Sequence, residues 1–206
     1  MDALIIVDFQ NDFVENGSLA VEGGLSLTGP INNLIHFRKW GCVIATKDWH
    51  PEKHISFAST HGTPVFSGID LMINGRDTHL TLWPDHCVQE SHGAMIVDGI
   101  DFKSIDLILP KGCDPEYEFY SAFRDVTKTK ETELLGYLKS KAIKSVYVVG
   151  LALDFCVLHT ALDAVEYGFD TTVLVSYTKP ISVEGANRAL HLLQENGVKC
   201  IMEAIN

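Results

Sequence analysis

The sequence lacks the features of membrane, secreted and nucleic-acid-binding proteins. No run approaches the roughly 18 consecutive apolar residues of a membrane-spanning helix. The first ten residues, MDALIIVDFQ, have neither the basic flank nor the small-residue cleavage site of a signal peptide. Basic residues are few: 16 Lys and Arg against 27 Asp and Glu give a net charge of −11, without a basic run. Because this charge repels nucleic acid and anionic membranes, we expect neither as a partner. From the missing membrane span and signal peptide we expect a cytoplasmic protein.

Cysteine is sparse, and no Cys-x-x-Cys pair occurs. The five cysteines are odd in number, which is typical of a reducing compartment and leaves one thiol free for a special role. A Gly-x-Gly-x-x-Gly motif is also missing after the first apolar run, where DFQNDF stands instead. Dinucleotide binding of the Rossmann type therefore has no support.

The composition that remains is that of a compact globular protein. Hydrophobic residues make up 46% and charged residues 21% of 206 residues, which fits a single domain over residues 1–206. Short apolar runs occupy 4–8, 42–48, 105–110, 145–150 and 170–175, with a last short one at 198–202. Segments of helical periodicity lie between them, at 31–37, 134–138, 155–165 and 186–193. This alternation predicts a three-layer α/β fold around a parallel sheet.

One segment, about 49–104, breaks this alternation. It contains no long periodic helix, yet it holds six of the nine histidines and two of the three tryptophans. Long irregular segments within compact domains are usually functional. We therefore expect this excursion from the sheet to carry metal- and substrate-binding residues.

Four reactive side chains fall at the carboxyl ends of predicted strands, where open α/β sheets bind ligands. Asp8 closes the first strand, Asp48 closes the second, Lys111 follows the third, and Cys156 lies just beyond the fourth. We expect Asp154 to cap the helix that carries Cys156, so that the helix N-terminus favours the thiolate. A free cysteine is more often a small buried hydrophobe, but an acid and an ammonium that converge on it indicate a nucleophile.

A metal site is predicted beside this group. Asp48 and His50 are two residues apart in an extended segment, so their side chains point the same way. His86 is the best third ligand. Two imidazoles and one carboxylate with open positions suit catalytic zinc, iron or manganese. The sequence leaves two roles open for His54. It is either an extra ligand or a residue that contacts the ligands and orients them.

Three aromatic residues, Phe13, Trp83 and Tyr120, lie on loops or just after strands near these positions. They are candidates for the walls of a site that binds a flat ring. Core packing is the alternative for each of them taken singly.

The segments IIVDFQNDF with GSLAV, ATKDWHPEKHISF, LWPDHCVQ, LPKGCDPEYEFYSAF and VVGLALDFCV together resemble a known family. In their order and spacing, nearly end to end, they are similar to nicotinamidases, the pyrazinamide-hydrolysing branch of the isochorismatase-like cysteine hydrolases. The resemblance implies a six-stranded parallel sheet flanked by helices. It also implies hydrolysis of nicotinamide to nicotinate and ammonia in NAD salvage, through a cysteine thioester.

The resemblance assigns roles residue by residue. It implies a catalytic triad of Asp8, Lys111 and Cys156, and a divalent metal, zinc before iron or manganese, held by Asp48, His50 and His86. It implies a cis peptide bond between Leu151 and Ala152, with an oxyanion hole formed by the N–H groups of Ala152 and Cys156. Phe13 and Trp83 match the residues that sandwich the pyridine ring, and Tyr120 matches a nearby wall.

One departure from the family pattern is visible in KGCDPEYEF. Cys113, Tyr117 and Phe119 stand where small or acidic residues are more usual, which predicts an altered pocket rim. Activity on nicotinamide relative to pyrazinamide and other amides therefore stays open, as does assembly into a homo-oligomer.

Three other functions compete with this interpretation. A non-haem iron oxygenase uses the same two histidines and one carboxylate, but the parallel α/β pattern and the thiol disfavour it. A ligand-binding protein of this fold would bind pyridines without releasing ammonia, and the complete triad disfavours that. A thiol redox protein needs a resolving cysteine near Cys156, and the sequence places none there.

Overall fold

Six strands form the central sheet of the protein, whose computed structural model describes residues 1–203. They are Asp2–Val7 (β1), Cys42–Asp48 (β2), Leu107–Lys111 (β5), Ser145–Leu151 (β6), Asp170–Lys179 (β7) and Lys199–Ile201 (β8). Their order is β5-β2-β1-β6-β7-β8, and all neighbouring pairs are parallel. The predicted six-stranded parallel sheet is confirmed.

Five helices accompany the strands in the described part of the chain. They are Thr28–Phe37 (α1), Ala58–His61 (α2), Leu134–Ser140 (α3), Leu158–Glu166 (α4) and Val183–Glu195 (α5). Single turns of 3₁₀ helix occur at Asn11–Phe13, Leu25–Leu27 and Phe102–Ser104. None of the helices within residues 1–203 has the length and apolar character needed to cross a membrane.

The two faces of the sheet bury different partners, which gives the predicted three layers. In β1, Ile5 packs in the same cluster as the apolar faces of α3, α4 and α5. Leu4 and Ile6 point to the other face, where they share a cluster with α1 and with loop residues. Because both faces are covered, the strands are apolar without alternation, as is usual for parallel sheets.

Part of the excursion at 49–104 is regular, contrary to the expectation of an irregular segment. Gly68–Ile73 (β3) and Arg76–Thr81 (β4) form an antiparallel hairpin outside the main sheet. Asn74 and Gly75 make its two-residue turn with φ of 48° and 75°. Asn-Gly between strands is a strong hairpin signal, because both turn residues accept positive φ. The sequence therefore contained the information for this hairpin.

The helical stripe predicted over 155–165 divides into two elements. A π-helical turn at Leu153–Val157 precedes α4 and carries Cys156. The preceding Leu151–Ala152 peptide bond is cis, as the resemblance implies. Phe37, the last apolar residue of the helical pattern predicted at 31–37, is 47% exposed at the end of α1.

Gly150 allows β6 to lie close to β1 near the carboxyl ends of both strands. Its φ is 103°, and a Cβ there would lie 2.2 Å from the carbonyl oxygen of Val7. Val7 and Gly150 are paired in the register of the two strands. A side chain at Gly150 would therefore push against backbone that has no room to move.

We predict that Gly150→Ala lowers the free energy of unfolding by more than about 2 kcal/mol, because strained φ and a backbone clash act together. Gly136→Ala is the matched control, since Gly136 is exposed in α3 and a Cβ there meets nothing within 4 Å. That control should be neutral or stabilising by up to about 1 kcal/mol. Denaturant titration of both variants gives the comparison. Equal midpoints for the two would contradict the predicted clash.

Candidate active site

Three adjacent strands bring two carboxylates and one ammonium to a single point. Asp8 follows β1, and Asp48 and Lys111 end β2 and β5. Lys111 Nζ lies 2.8 Å from Asp8 Oδ2 and 2.5 Å from Asp48 Oδ1, with all three side chains at most 5% exposed. Nζ also donates to the carbonyl oxygen of Phe119 at 2.7 Å. The ammonium thus compensates two carboxylates that would be costly to bury alone.

Cys156 reaches the same point from the next strand, β6. The π-helical turn after that strand holds Cys156 Sγ 3.6 Å from Lys111 Nζ. Sγ and one carboxylate oxygen each of Asp8 and Asp48 lie within 4.8 Å of one another. Asp8 Oδ2 makes an ion pair with Lys111 but no hydrogen bond within residues 1–203, so it has capacity to accept a proton. The structure therefore brings together the four side chains that the sequence placed at strand ends.

Burial dominates the electrostatics of this group. Burial raises the pKa of the Cys156 thiol well above its usual range, and Lys111 only partly opposes it. Burial likewise raises the pKa of Asp8, to about 6, against the effect of Lys111. At Asp48 the effect of burial is outweighed by Lys111 and His50, so its pKa is lowered. At neutral pH the thiol is therefore protonated beside an ionised Asp8.

This state differs from the thiolate expected at a helix N-terminus capped by Asp154. The Asp154 carboxylate instead accepts hydrogen bonds from the backbone N–H groups of Ile181 and Ser182, at 2.8 and 3.1 Å. Asp154 therefore orders the residues that precede α5 and does not cap its own turn. Ionisation of the Cys156 thiol therefore requires a base, since the helical turn does not provide an ionised thiol.

Asp48 also belongs to a second group, with His50 and His86. The Nε2 atoms of His50 and His86 lie 3.6 and 4.0 Å from Asp48 Oδ2. Nδ1 of each ring lies near a backbone carbonyl oxygen, that of Gly112 at 3.0 Å and that of Pro84 at 2.7 Å. We assign the proton to Nδ1 on both rings, because it must donate to those carbonyls. Both Nε2 lone pairs then point toward Asp48, an arrangement typical of metal-ligating histidines.

A buried atom without a partner supports the fit of a cation to this group. His50 Nε2 is enclosed and has no hydrogen-bond partner within residues 1–203. Asp48, His50 and His86 each offer one ligand atom, and these atoms lie within 4.8 Å of one another. A divalent cation bound there would satisfy Nε2 of His50, which is otherwise costly to bury.

His54 packs behind this group, and its ring centroid lies 4.1 Å from that of His50. Its Nδ1 lies 2.8 Å from Ser56 Oγ, and its Nε2 lies 3.1 Å from the carbonyl oxygen of Tyr117. Burial lowers the pKa of His54 to about 3, with His50 as the next cause. Since both nitrogens are engaged, the geometry favours a supporting role over direct ligation.

A cavity opens beside both groups. Its lining includes the residues predicted for substrate and oxyanion binding: Phe13, Trp83, Tyr120, Ala152 and Cys156. Trp83 Nε1 donates a hydrogen bond to the Tyr120 hydroxyl at 3.2 Å. The lining is mostly apolar with a few polar groups, as is usual for sites that bind small molecules.

Phe155 and Glu118 also line the cavity, although neither was predicted from the sequence as a site residue. The Phe155 ring meets the Trp83 ring edge-on at 4.7 Å. Helical spacing placed Phe155 on a core stripe, although its position beside Cys156 was a signal for the site. Glu118 lies in the segment that departs from the family pattern. Cys113 and Phe119 of that segment line a separate surface hollow and are absent from the lining of this cavity.

Two further residues that the sequence analysis missed, Gln10 and Asp12, hold the backbone of the site. Gln10 Oε1 accepts a hydrogen bond from the Asp48 N–H at 2.7 Å, and its Nε2 donates to the carbonyls of Asp48 and Ala94 at 2.8 and 2.9 Å. Asp12 Oδ2 accepts a hydrogen bond from the N–H of Cys87 at 2.7 Å. These side chains join β1 to the segments that carry the candidate metal ligands.

Comparison with known proteins identifies the family of this chain. The Isochorismatase domain model matches residues 2–204. The chain belongs to the isochorismatase family. The nicotinamidase of Saccharomyces cerevisiae is 40% identical over 198 residues, which cover 88% of this chain and 89% of that protein.

Two solved structures extend the comparison. The yeast nicotinamidase structure has a TM-score of 0.94 at 37% identity and covers 98% of this chain and 100% of that one. A pyrazinamidase of Pyrococcus horikoshii, solved in complex with zinc, has a TM-score of 0.79 at 34% identity, covering 98% and 99%. Membership of the family is therefore supported by sequence and by fold.

We predict that Gln10→Met lowers the free energy of unfolding by more than about 2 kcal/mol, because it leaves three buried backbone groups without partners. Gln89→Met is the matched control, since the described contacts of Gln89 include one side-chain hydrogen bond, to the carbonyl of Trp49 at 3.0 Å. That control should cost about 1 kcal/mol or less. Denaturant titration measures both. A loss at Gln10 no larger than that at Gln89 would contradict its role in holding Asp48.

Proposed function

We propose that this protein is a nicotinamidase that hydrolyses nicotinamide to nicotinate and ammonia in NAD salvage, and that it also deamidates pyrazinamide. The observation that carries the proposal is the Cys156 thiol, which lies beside Asp8 and Lys111 and lines an aromatic cavity. The nicotinamidases among its relatives support the same reaction. We further propose a cytoplasmic location, in keeping with five free cysteines.

In the proposed mechanism Asp8 is the general base. The Asp8 carboxylate takes the proton of the Cys156 thiol as the sulfur attacks the amide carbon. The C–N bond then breaks, Asp8 returns the proton to the departing ammonia, and a thioester remains. Water, deprotonated by Asp8, cleaves the thioester, which releases nicotinate and restores the thiol. Lys111 stabilises the negative charge on its neighbours throughout.

The oxyanion of each tetrahedral intermediate is assigned to the backbone N–H groups of Ala152 and Cys156. Both residues line the cavity beside the nucleophile, which supports this assignment. Fixed backbone donors aimed at a developing charge need no reorganisation during the reaction, so they stabilise the transition state more than the substrate. Phe13 and Trp83 are assigned to the two faces of the pyridine ring, and Tyr120 to a side wall.

Asp48, His50 and His86 are assigned as ligands of a divalent metal, with His54 in support. Zinc is proposed first, because the donor set suits it and a relative was solved with zinc; iron and manganese suit the same donors. A bound metal would act as a Lewis acid toward the ring nitrogen of the substrate. The chain itself contributes the fixed orientation of both imidazoles through Gly112 and Pro84.

We predict that Cys156→Ala reduces ammonia release from nicotinamide on the order of 10⁴-fold while binding of nicotinamide is retained, since the thiol is needed for chemistry and not for ring binding. Ammonia assays and calorimetric titration test the two parts. Cys200→Ala, which changes a half-buried thiol in β8, is the control and should keep normal turnover. Substantial turnover by the Cys156 variant would remove it as nucleophile.

We predict that His50→Ala loses its metal on dialysis, with affinity reduced more than about 100-fold, and that KM for nicotinamide rises steeply. Metal content per chain, read by mass spectrometry, is the primary measurement because it does not depend on activity. His191→Ala is the control, since that imidazole is 71% exposed on α5. Equal metal content in the two variants would exclude His50 as a ligand.

A further inference from the structure

Glu118 is a buried carboxylate that the mechanism does not use. The residue is 2% exposed and lines the cavity that also contains Tyr120 and Cys156. Its backbone carbonyl accepts a hydrogen bond from the N–H of Val126 at 2.9 Å. Its carboxylate makes no hydrogen bond or ion pair with any residue of 1–203. A buried carboxylate without a partner is costly, so protein contacts alone do not account for this side chain.

Glu118 forms part of the cavity wall. Its oxygens are not among the enclosed polar atoms that lack a partner, so they retain accessible space, and the residue lines the cavity. Its charge also acts on Tyr120 in the cavity wall. Burial is the first cause that raises the pKa of Tyr120, and the charge of Glu118 is the second. A ligand in the cavity is therefore exposed to the charge of Glu118 at low dielectric.

The chain places an excess of negative charge around this cavity. Asp8, Asp48 and Glu118 contribute three carboxylates, and Lys111 contributes one ammonium that is already paired with Asp8 and Asp48. Of the three, Glu118 is the carboxylate that forms no ion pair with a described Lys or Arg. Any bound metal adds the same charge whether or not Glu118 is present. The effect of Glu118 on a ligand therefore depends on the ligand's own charge.

We propose that Glu118 is a specificity-determining residue that discriminates the uncharged pyridine carboxamide from the pyridine carboxylate anion, and so promotes release of the product. This inference rests on the proposed function, because it takes the substrate to be neutral and the product to be an anion. The carboxamide gains or loses little from the charge of Glu118, whereas the carboxylate is repelled by it.

The test measures binding without turnover, in the Cys156→Ala background. Dissociation constants for nicotinamide and for nicotinate are determined by calorimetry at neutral pH, with Glu118 intact and with Glu118→Gln. Gln keeps the shape of the side chain and removes the charge, while Glu118→Asp keeps the charge and serves as the control. Metal content is measured on each preparation so that samples of equal occupancy are compared. Glu118→Ala replaces the Gln variant if that variant does not fold.

With Gln at position 118, we expect nicotinate to bind on the order of tenfold more tightly, while nicotinamide changes by less than about threefold. Glu118→Asp should keep the ratio of the two constants near that of the parent. If both ligands bind the parent and the ratio is the same with Gln, the role of Glu118 is wrong and the proposed function stands. If neither ligand binds the metal-loaded parent, the proposed function itself fails, and this inference with it.

Discussion

The buried ammonium of Lys111 is the interaction on which the candidate site depends. It lies between Asp8 and Asp48, so one cation compensates the carboxylate of the proposed general base and that of a proposed metal ligand. Coulomb attraction at low dielectric offsets the desolvation of all three groups only while they remain together. Removing the ammonium would leave two uncompensated carboxylates, so the proposed triad and metal group cannot be built independently of each other.

Parallel strands explain how such a cluster can form. Asp8, Asp48 and Lys111 end neighbouring strands, and a parallel sheet places all its carboxyl ends on one edge. Asp8 sits at φ 45°, a conformation uncommon outside glycine, where the chain leaves β1. Thr46 holds it there, since its hydroxyl lies 2.6 Å from Asp8 Oδ1 and accepts from the Asp8 N–H at 3.1 Å. The sheet thus supplies position, and local hydrogen bonds supply orientation.

The parts of the site that could be predicted from the sequence are those that leave a local sequence pattern. Strand ends are visible as the last residues of apolar runs, so Asp8, Asp48 and Lys111 could be located without a family. No role could be assigned to Gln10 from the sequence, because its hydrogen bonds join it to Asp48, which lies 38 residues further along the chain. Glu118 could not be assigned either, since no local pattern shows that a charged side chain will lack a partner.

The resting protonation of Cys156 is the clearest case in which local reasoning fails. A cysteine in the first turn of a helix is expected to ionise, because the N–H groups and the helix dipole favour the anion. Here the residue is buried beside Asp8 and Asp48, and both burial and the two carboxylates raise the pKa of its thiol. The same burial raises the pKa of Asp8, which makes it a stronger base for that thiol. A low-dielectric site therefore favours a neutral thiol beside a carboxylate of raised pKa over a preformed thiolate.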